Sequence, residues 1–128
     1  MADKKLILAV DDDASVCELY EEGLPHLGYD VICASSGGKA KAVLKTRHPD
    51  VILMDIMMSD QDGISLTRDI RSDPATADIP ILIVSGLADA ATLNDALQFG
   101  AADYLVKPVD MEILKVKLER AVALKKKS

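Results

Sequence analysis

The sequence is short of aromatic residues: among 128 positions it has no tryptophan, one phenylalanine and three tyrosines. Proteins that hold single-stranded nucleic acid stack its bases on aromatic rings, and proteins that grip the duplex present basic stripes to its phosphates. Neither is available here. The net charge is −6, and the one basic run, Lys125-Lys126-Lys127, reads as a solvated last helical turn that suits the helix dipole. We expect no direct nucleic-acid contact. No apolar stretch approaches about 18 residues, so we expect no membrane insertion. The start, Met1-Ala2-Asp3-Lys4-Lys5, lacks the apolar centre of a signal peptide, and a cytoplasmic protein is expected. Two cysteines, Cys17 and Cys33, stand apart without a CxxC pattern or a nearby histidine pair. In a reducing compartment they read as ordinary thiols, neither disulfide nor zinc ligands. His26 and His48 lie near predicted helix ends and read as structural or solvated.

What is present is the make-up of one globular domain, with 49% apolar and 28% charged residues in a length that can bury a full core. Five short apolar, β-branched runs recur: Leu6–Val10, Asp30–Ala34, Val51–Met54, Ile79–Val84 and Asp103–Val106. Several are apolar at every position, as strands buried on both faces are. Helical patterns separate them. Ala14–Leu27 carries Val16, Leu19, Tyr20, Leu24 and Leu27 at helical spacing, with Pro25 expected to kink or shorten its end. Lys39–Arg47 follows a Ser-Ser-Gly-Gly turn in which Ser36 can cap. Ile64–Arg71, Asp89–Phe99 (closed by Gly100) and Asp110–Leu124 (capped by Asp110) complete the set. Strict alternation predicts an α/β fold, a doubly wound parallel sheet with helices on both faces and right-handed crossovers. In such sheets the site lies beyond the carboxyl ends of the strands.

Chemically able residues do follow the strands. Asp11, Asp12 and Asp13 follow the first, Asp55 the third, Ser85 the fourth, and Lys107-Pro108 the fifth. Singly, each could be a cap, a turn residue or a solvated charge. Together they place acids, a hydroxyl and an ammonium at one sheet edge, the make-up of a metal-assisted phosphoryl site. The acids offer only oxygen, which suits a hard cation such as Mg²⁺. With a cation present, one carboxylate can act as nucleophile toward a phosphoryl group, Lys107 can neutralise its oxygens and Ser85 can donate to one. Asp13 is expected to turn away and cap the first helix, although Ser15 with Glu18 forms a rival capping box.

Over about residues 4–124 the chain looks like a receiver domain of the two-component response regulators. The resemblance rests on "VDDD" at Val10–Asp13, "LMDIMMSDQDG" at Leu53–Gly63, "VSG" at Val84–Gly86 and "YLVKP" at Tyr104–Pro108. It implies a single receiver domain over 1–128 with the flavodoxin-like (βα)5 fold and strand order 2-1-3-4-5. It implies Asp55 as phosphoacceptor, supplied by a phosphohistidine of a histidine kinase or phosphotransfer protein. It implies Mg²⁺, with Mn²⁺ as a substitute, held by Asp11, Asp12, Asp55 and the Met57 backbone carbonyl. Ser85 becomes the switch hydroxyl, Lys107 the site lysine with a cis bond to Pro108, and Tyr104 the aromatic that turns with Ser85. Met57 and Leu87 become the residues that tune phosphoryl lifetime, and both being apolar implies slow loss of phosphate. The output face would be helix 4, strand 5 and helix 5, docking a downstream protein or a phosphorylation-dependent dimer. The protein would then be a switch that promotes only its own phosphotransfer and slow self-dephosphorylation. Met1-Ala2 reads as a natural start, and the chain reads either as a single-domain regulator or as the receiver piece of a larger regulator or hybrid kinase.

Two departures from the family pattern stand out. The loop after Asp55 has Ser59-Asp60 where the family has proline at the first position, which frees a φ angle and adds a donor, so a more mobile loop is expected. The second helix opens on Gly37-Gly38-Lys39, not on acids, and reads as surface variation. Two other functions fit parts of the chain. "AVDDDAS" matches the Asp-x-Asp-x-Ser pattern of haloacid-dehalogenase-type phosphohydrolases, with Asp11 as nucleophile and Asp13 as acid/base, but Asp55 then has no role. A binding module that no longer uses phosphate would leave the whole constellation without purpose.

Overall fold

In the computed structural model, which describes residues 4–86 and 90–127, β and α elements alternate along the chain. The strands are β1 (Lys5–Val10), β2 (Tyr29–Ala34), β3 (Val51–Met54), β4 (Ile81–Ser85) and β5 (Asp103–Val106). The helices are α1 (Ala14–His26), α2 (Gly37–Leu44), α3 (Gly63–Ser72), α4 (Ala90–Gln98) and α5 (Met111–Lys127). All strand pairs are parallel, in the order β2-β1-β3-β4-β5.

The unbroken apolar runs are explained by burial on both faces. Successive strand side chains point to opposite sides, and they divide accordingly. Leu8, Val10, Ile52, Met54, Ile81 and Ile83 pack with Ala40, Leu66, Ile70 and Ala96 from α2, α3 and α4. Their neighbours Ile7, Ala9, Leu53, Leu82, Val84 and Leu105 pack with Tyr20, Leu24, Leu114, Leu118 and Ala121 from α1 and α5. The central strand β3 is fully buried, which is where parallel sheets place their most apolar segment.

Boundaries differ from the periodic pattern for local reasons. β4 opens at Ile81, not Ile79, since Pro80 has no N–H to give the ladder; its carbonyl still accepts from Ile52 N at 2.9 Å. α1 stops at His26, one residue early, because Gly28 takes a positive φ of 93°, the left-handed conformation with which glycine closes a helix; Pro25 is accommodated inside the helix. α2 begins at Gly37, two residues before the predicted start, and ends at Leu44. Leu19 belongs to the predicted apolar stripe but lies exposed, as do Ile113 and Val116 of α5. The buried stripes are therefore narrower than the apolar spacing suggests, and the surplus apolar side chains face outward.

Candidate functional site

The ladder registers carry the predicted residues to one edge. Val10 of β1 lies opposite Met54 of β3, so the next residues, Asp11 and Asp55, emerge side by side. The link continues past the last pair, with Asp55 N donating to Val10 O at 2.9 Å and Asp11 N to Ala34 O at 3.1 Å. Ser85 lies opposite Val106, and Lys107 N donates to Ser85 O at 2.9 Å. Four strand ends thus meet above the sheet. Gly63, at the start of α3, packs so closely beneath Asp55 that any Cβ there would overlap the Asp55 carbonyl oxygen.

Asp11, Asp12 and Asp55 each offer a carboxylate oxygen, all within 4.8 Å of one another. Asp11 is 1% exposed and Asp55 6%, whereas Asp12 stands at the surface. The Lys107 ammonium lies 2.7 Å from Asp11 Oδ2 and 3.5 Å from Asp55 Oδ2. Asp11 Oδ2 makes no hydrogen bond of good geometry and has this ammonium as its counter-charge. Burial, and then the neighbouring Asp11, push the Asp55 carboxyl above the usual carboxylate range; Lys107 and the Met57 N–H pull the other way. Burial disfavours the Lys107 ammonium, but Asp11 and Asp55 outweigh it and hold its pKa above the ordinary lysine value. One cation against three acids leaves negative charge in excess, and burial makes that excess costly. The donors are all oxygen, and they converge on one point. A hard divalent cation fits this set.

The other predicted residues are placed as follows. Ser85 is buried at the end of β4. Tyr104 sits in β5 opposite Ile83, packs against the core on the α2–α4 side, and has the Lys117 ammonium 5.2 Å from its ring centre. The Lys107–Pro108 peptide bond is cis. Met57 is 63% exposed at the lip of the cleft. Leu87 and the predicted helix start at Asp89 lie outside the described residues. Asp13 leaves the cluster: its Oδ1 accepts from Ser15 N at 2.9 Å and Ser15 Oγ at 2.7 Å. Asp13 is the cap of α1, and the Ser15 hydroxyl is directed to it. The phosphohydrolase alternative thereby loses its acid/base.

Two features were not anticipated. Cys17 Sγ lies 3.5 Å from the Asp11 carbonyl, and Cys33 Sγ 3.6 Å from the Cys17 carbonyl, so the thiols fill the floor beside the cluster. The Asp60 carboxylate accepts from Gly37 N and Gly38 N, one oxygen to each, at 3.0 Å. The two family departures are therefore partners: the loop after Asp55 is tied to α2, and Gly37-Gly38 leaves room for the approach.

A doubly wound sheet with a buried acid pair, a third acid, a hydroxyl and a lysine at its carboxyl edge has the groups that a metal-assisted phosphoryl site needs. The chain belongs to the response regulator receiver domain family, whose model matches residues 7–119. It is 35% identical over 115 residues to a probable transcriptional regulator ycf27 of Porphyridium aerugineum, covering 90% of this chain and 47% of that protein. It is 39% identical over 118 residues to the transcriptional regulatory protein ZraR of Escherichia coli strain K12, covering 91% of this chain and 26% of that one. The chain thus spans half or less of these relatives' length. A CheY-like receiver domain protein of Methanospirillum hungatei superposes with a TM-score of 0.89 at 27% identity, covering 97% of this chain and 98% of that one. The receiver domain of the sensor histidine kinase PA1611 of Pseudomonas aeruginosa, with a magnesium ion in its active-site cleft, superposes with a TM-score of 0.86 at 32% identity, covering 94% and 98%.

Proposed function

We propose that this chain is a phosphorylation-controlled switch in which Asp55 accepts a phosphoryl group from a phosphohistidine of a kinase or phosphotransfer protein. The observation that carries the reading is the convergence of Asp11, Asp12 and Asp55 within 4.8 Å, with Lys107 as their counter-charge. Asp11, Asp12, Asp55 and the Met57 carbonyl would hold Mg²⁺, or Mn²⁺ in its place. The ion would supply positive charge to the transferring phosphoryl oxygens.

The residues then divide the work. An Asp55 carboxylate oxygen attacks phosphorus, the P–N bond breaks, and the imidazole of the donor leaves. Lys107 is already charged and within reach, so it neutralises oxygens without a proton transfer. Ser85, one strand over, follows the new oxygens, and Tyr104 turns inward in step. The modification adds charge and acceptors and shifts a balance between two existing conformations. The readout face is α4, β5 and α5, where Leu97, Val106, Ile113 and Val116 are exposed; a downstream protein or a second copy docks there. Met57 is apolar, as is Leu87, so neither orients an attacking water, and dephosphorylation is slow. We read residues 1–128 as one such domain, acting in the cytoplasm, alone or within a larger regulator. Incubation with acetyl phosphate and Mg²⁺, followed by intact mass, should give a single phosphoryl adduct. An adduct of equal yield on Asp55→Asn would overturn the assignment.

A further inference from the structure

The loop between Asp55 and the α3 cap Asp62 carries the Met57 peptide, whose N–H donates to the Asp55 carboxylate and whose carbonyl is the proposed fourth cation ligand. Its ends are fixed. Asp55 N donates to Val10 O, and Gly63 N donates back to Ile56 O at 2.7 Å. In its middle Met58 packs half-buried against the core, but Met57 is 63% exposed and Ser59 lacks the ring that would restrict φ. Beyond Met58, the polar tie on this stretch is Asp60.

The accounting of α2's first turn shows how. An α-helix leaves its first four N–H groups without intrahelical partners. The first intrahelical bond of α2 runs from Ala40 N to Ser36 O at 3.0 Å. Of the N–H groups ahead of it, Lys39 N goes to Ser36 Oγ at 3.1 Å, while Gly37 N and Gly38 N both go to Asp60, more than twenty residues away in sequence. α2 has no acid in its own first turn, so Asp60 also supplies the negative charge that the helix N-terminus favours. A Cβ on residue 37 would lie 3.0 Å from Gln61 Oε1 and 3.3 Å from Gln61 Cβ, so glycine permits the approach without Gln61 giving way. Gln61 adds a second tie, donating to Ser65 Oγ at 3.1 Å and Asp69 Oδ2 at 2.9 Å. Lys41 of α2 closes the ring on the same Asp69 oxygen at 3.0 Å.

We propose that Asp60 is a positioning residue of the phosphoryl site: by bridging the Gly37 and Gly38 N–H groups it fixes the loop that presents the Met57 peptide to the cation. This rests on the proposed Mg²⁺-dependent role of Asp55. Charge-assisted bonds to two N–H groups give the exposed loop the restraint that proline would otherwise supply, and residues that orient a ligand in this way change metal affinity on the order of tenfold or more when removed.

The test is calorimetric titration of Mg²⁺ into the purified full chain and its variants, with urea unfolding in EDTA alongside. Asp60→Ala should weaken Mg²⁺ on the order of tenfold. Asp60→Asn, which keeps one acceptor oxygen, should fall between it and wild type. Gly37→Ala, which crowds Gln61 without touching any ligand, should also weaken the ion. A purely structural residue would lower the urea midpoint and leave the affinity of the folded protein intact. Asp60→Ala with Mg²⁺ affinity indistinguishable from wild type overturns the proposal. Wild type that binds Mg²⁺ but takes no phosphoryl group on Asp55 overturns the proposed function, and the titration still decides the role of Asp60. Wild type that binds no Mg²⁺ overturns both.

Discussion

Replacing Asp55 by Asn should make the cation-free protein more stable, although it destroys the proposed phosphoacceptor. The magnitude follows from the site's own distances. At an effective dielectric near 20, the Lys107 ammonium 3.5 Å away favours the Asp55 charge by about 5 kcal/mol. The Asp11 carboxylate, at most 4.8 Å away, opposes it by about 3.5 kcal/mol. Asp12 adds a smaller, solvent-screened share. Desolvation of a carboxylate that is 6% exposed adds a further cost of several kcal/mol. The opposing terms win by on the order of 1–2 kcal/mol, which is the gain expected for the neutral amide. The pH dependence has a definite sign. The folded pKa of Asp55 is raised from 3.8, so the penalty is absent below that value and complete once pH exceeds the raised one. The advantage of Asn should therefore grow as pH rises through that window. Saturating Mg²⁺ should reverse the order, since at a hundredfold excess over Kd a ligand adds about 2.7 kcal/mol to the state that binds it. Urea unfolding of both proteins, in EDTA and in Mg²⁺, measures all of this. An Asn variant less stable than wild type in EDTA at pH 7 would refute the reasoning, because Lys107 would then more than offset burial and repulsion.

The remaining predictions separate roles that lie close together in the chain. Asp13→Ala should lower the urea midpoint through loss of the α1 cap and leave Mg²⁺ affinity unchanged, whereas Asp12→Ala should weaken Mg²⁺ and leave the EDTA midpoint nearly unchanged; paired urea and calorimetric data decide it. Burial raises the pKa of both Cys17 and Cys33, further for Cys33, so alkylation by iodoacetamide at pH 7.5 should be much slower in the folded protein than in urea, Cys33 slowest. Introducing Asn at Met57 and Glu at Leu87 should speed loss of the phosphoryl group, followed by mass after removal of donor; an unchanged or longer lifetime counts against the lifetime argument. Arg71 donates to Gly100 O at 2.9 Å and Ile79 O at 2.6 Å, so Arg71→Ala should cost about 1.5–3 kcal/mol in urea unfolding through the carbonyls it strands.

The position of the candidate site was legible in the sequence because its polar residues follow directly on the strand ends. Parallel pairing then does the assembly: once Val10 meets Met54, Asp11 must stand beside Asp55. The split within Asp11-Asp12-Asp13 was legible for the same reason, since only the first two can face the cleft before α1 begins. The tie from Asp60 to α2 was not legible. Its acceptor is a side chain but its donors are backbone N–H groups, and no residue type encodes those. Two glycines are poor helix formers, so a helix start at Lys39 was the natural reading; the carboxylate arriving from another loop moves the start to Gly37. Leu19 and Val116 misled in the opposite direction, because helical spacing marks an apolar stripe and does not say how much of it the sheet covers.

The central claim is that Asp55 carries the phosphoryl group. An acyl phosphate is reduced by borohydride to an alcohol, which marks the carboxylate that held it. After treatment with acetyl phosphate and Mg²⁺, reduction and peptide mass analysis should find homoserine at position 55, none when Mg²⁺ is replaced by EDTA, and none at Asp11 or Asp12. Homoserine at position 11 or 12, or none anywhere despite a phosphoryl adduct on the intact protein, would contradict it.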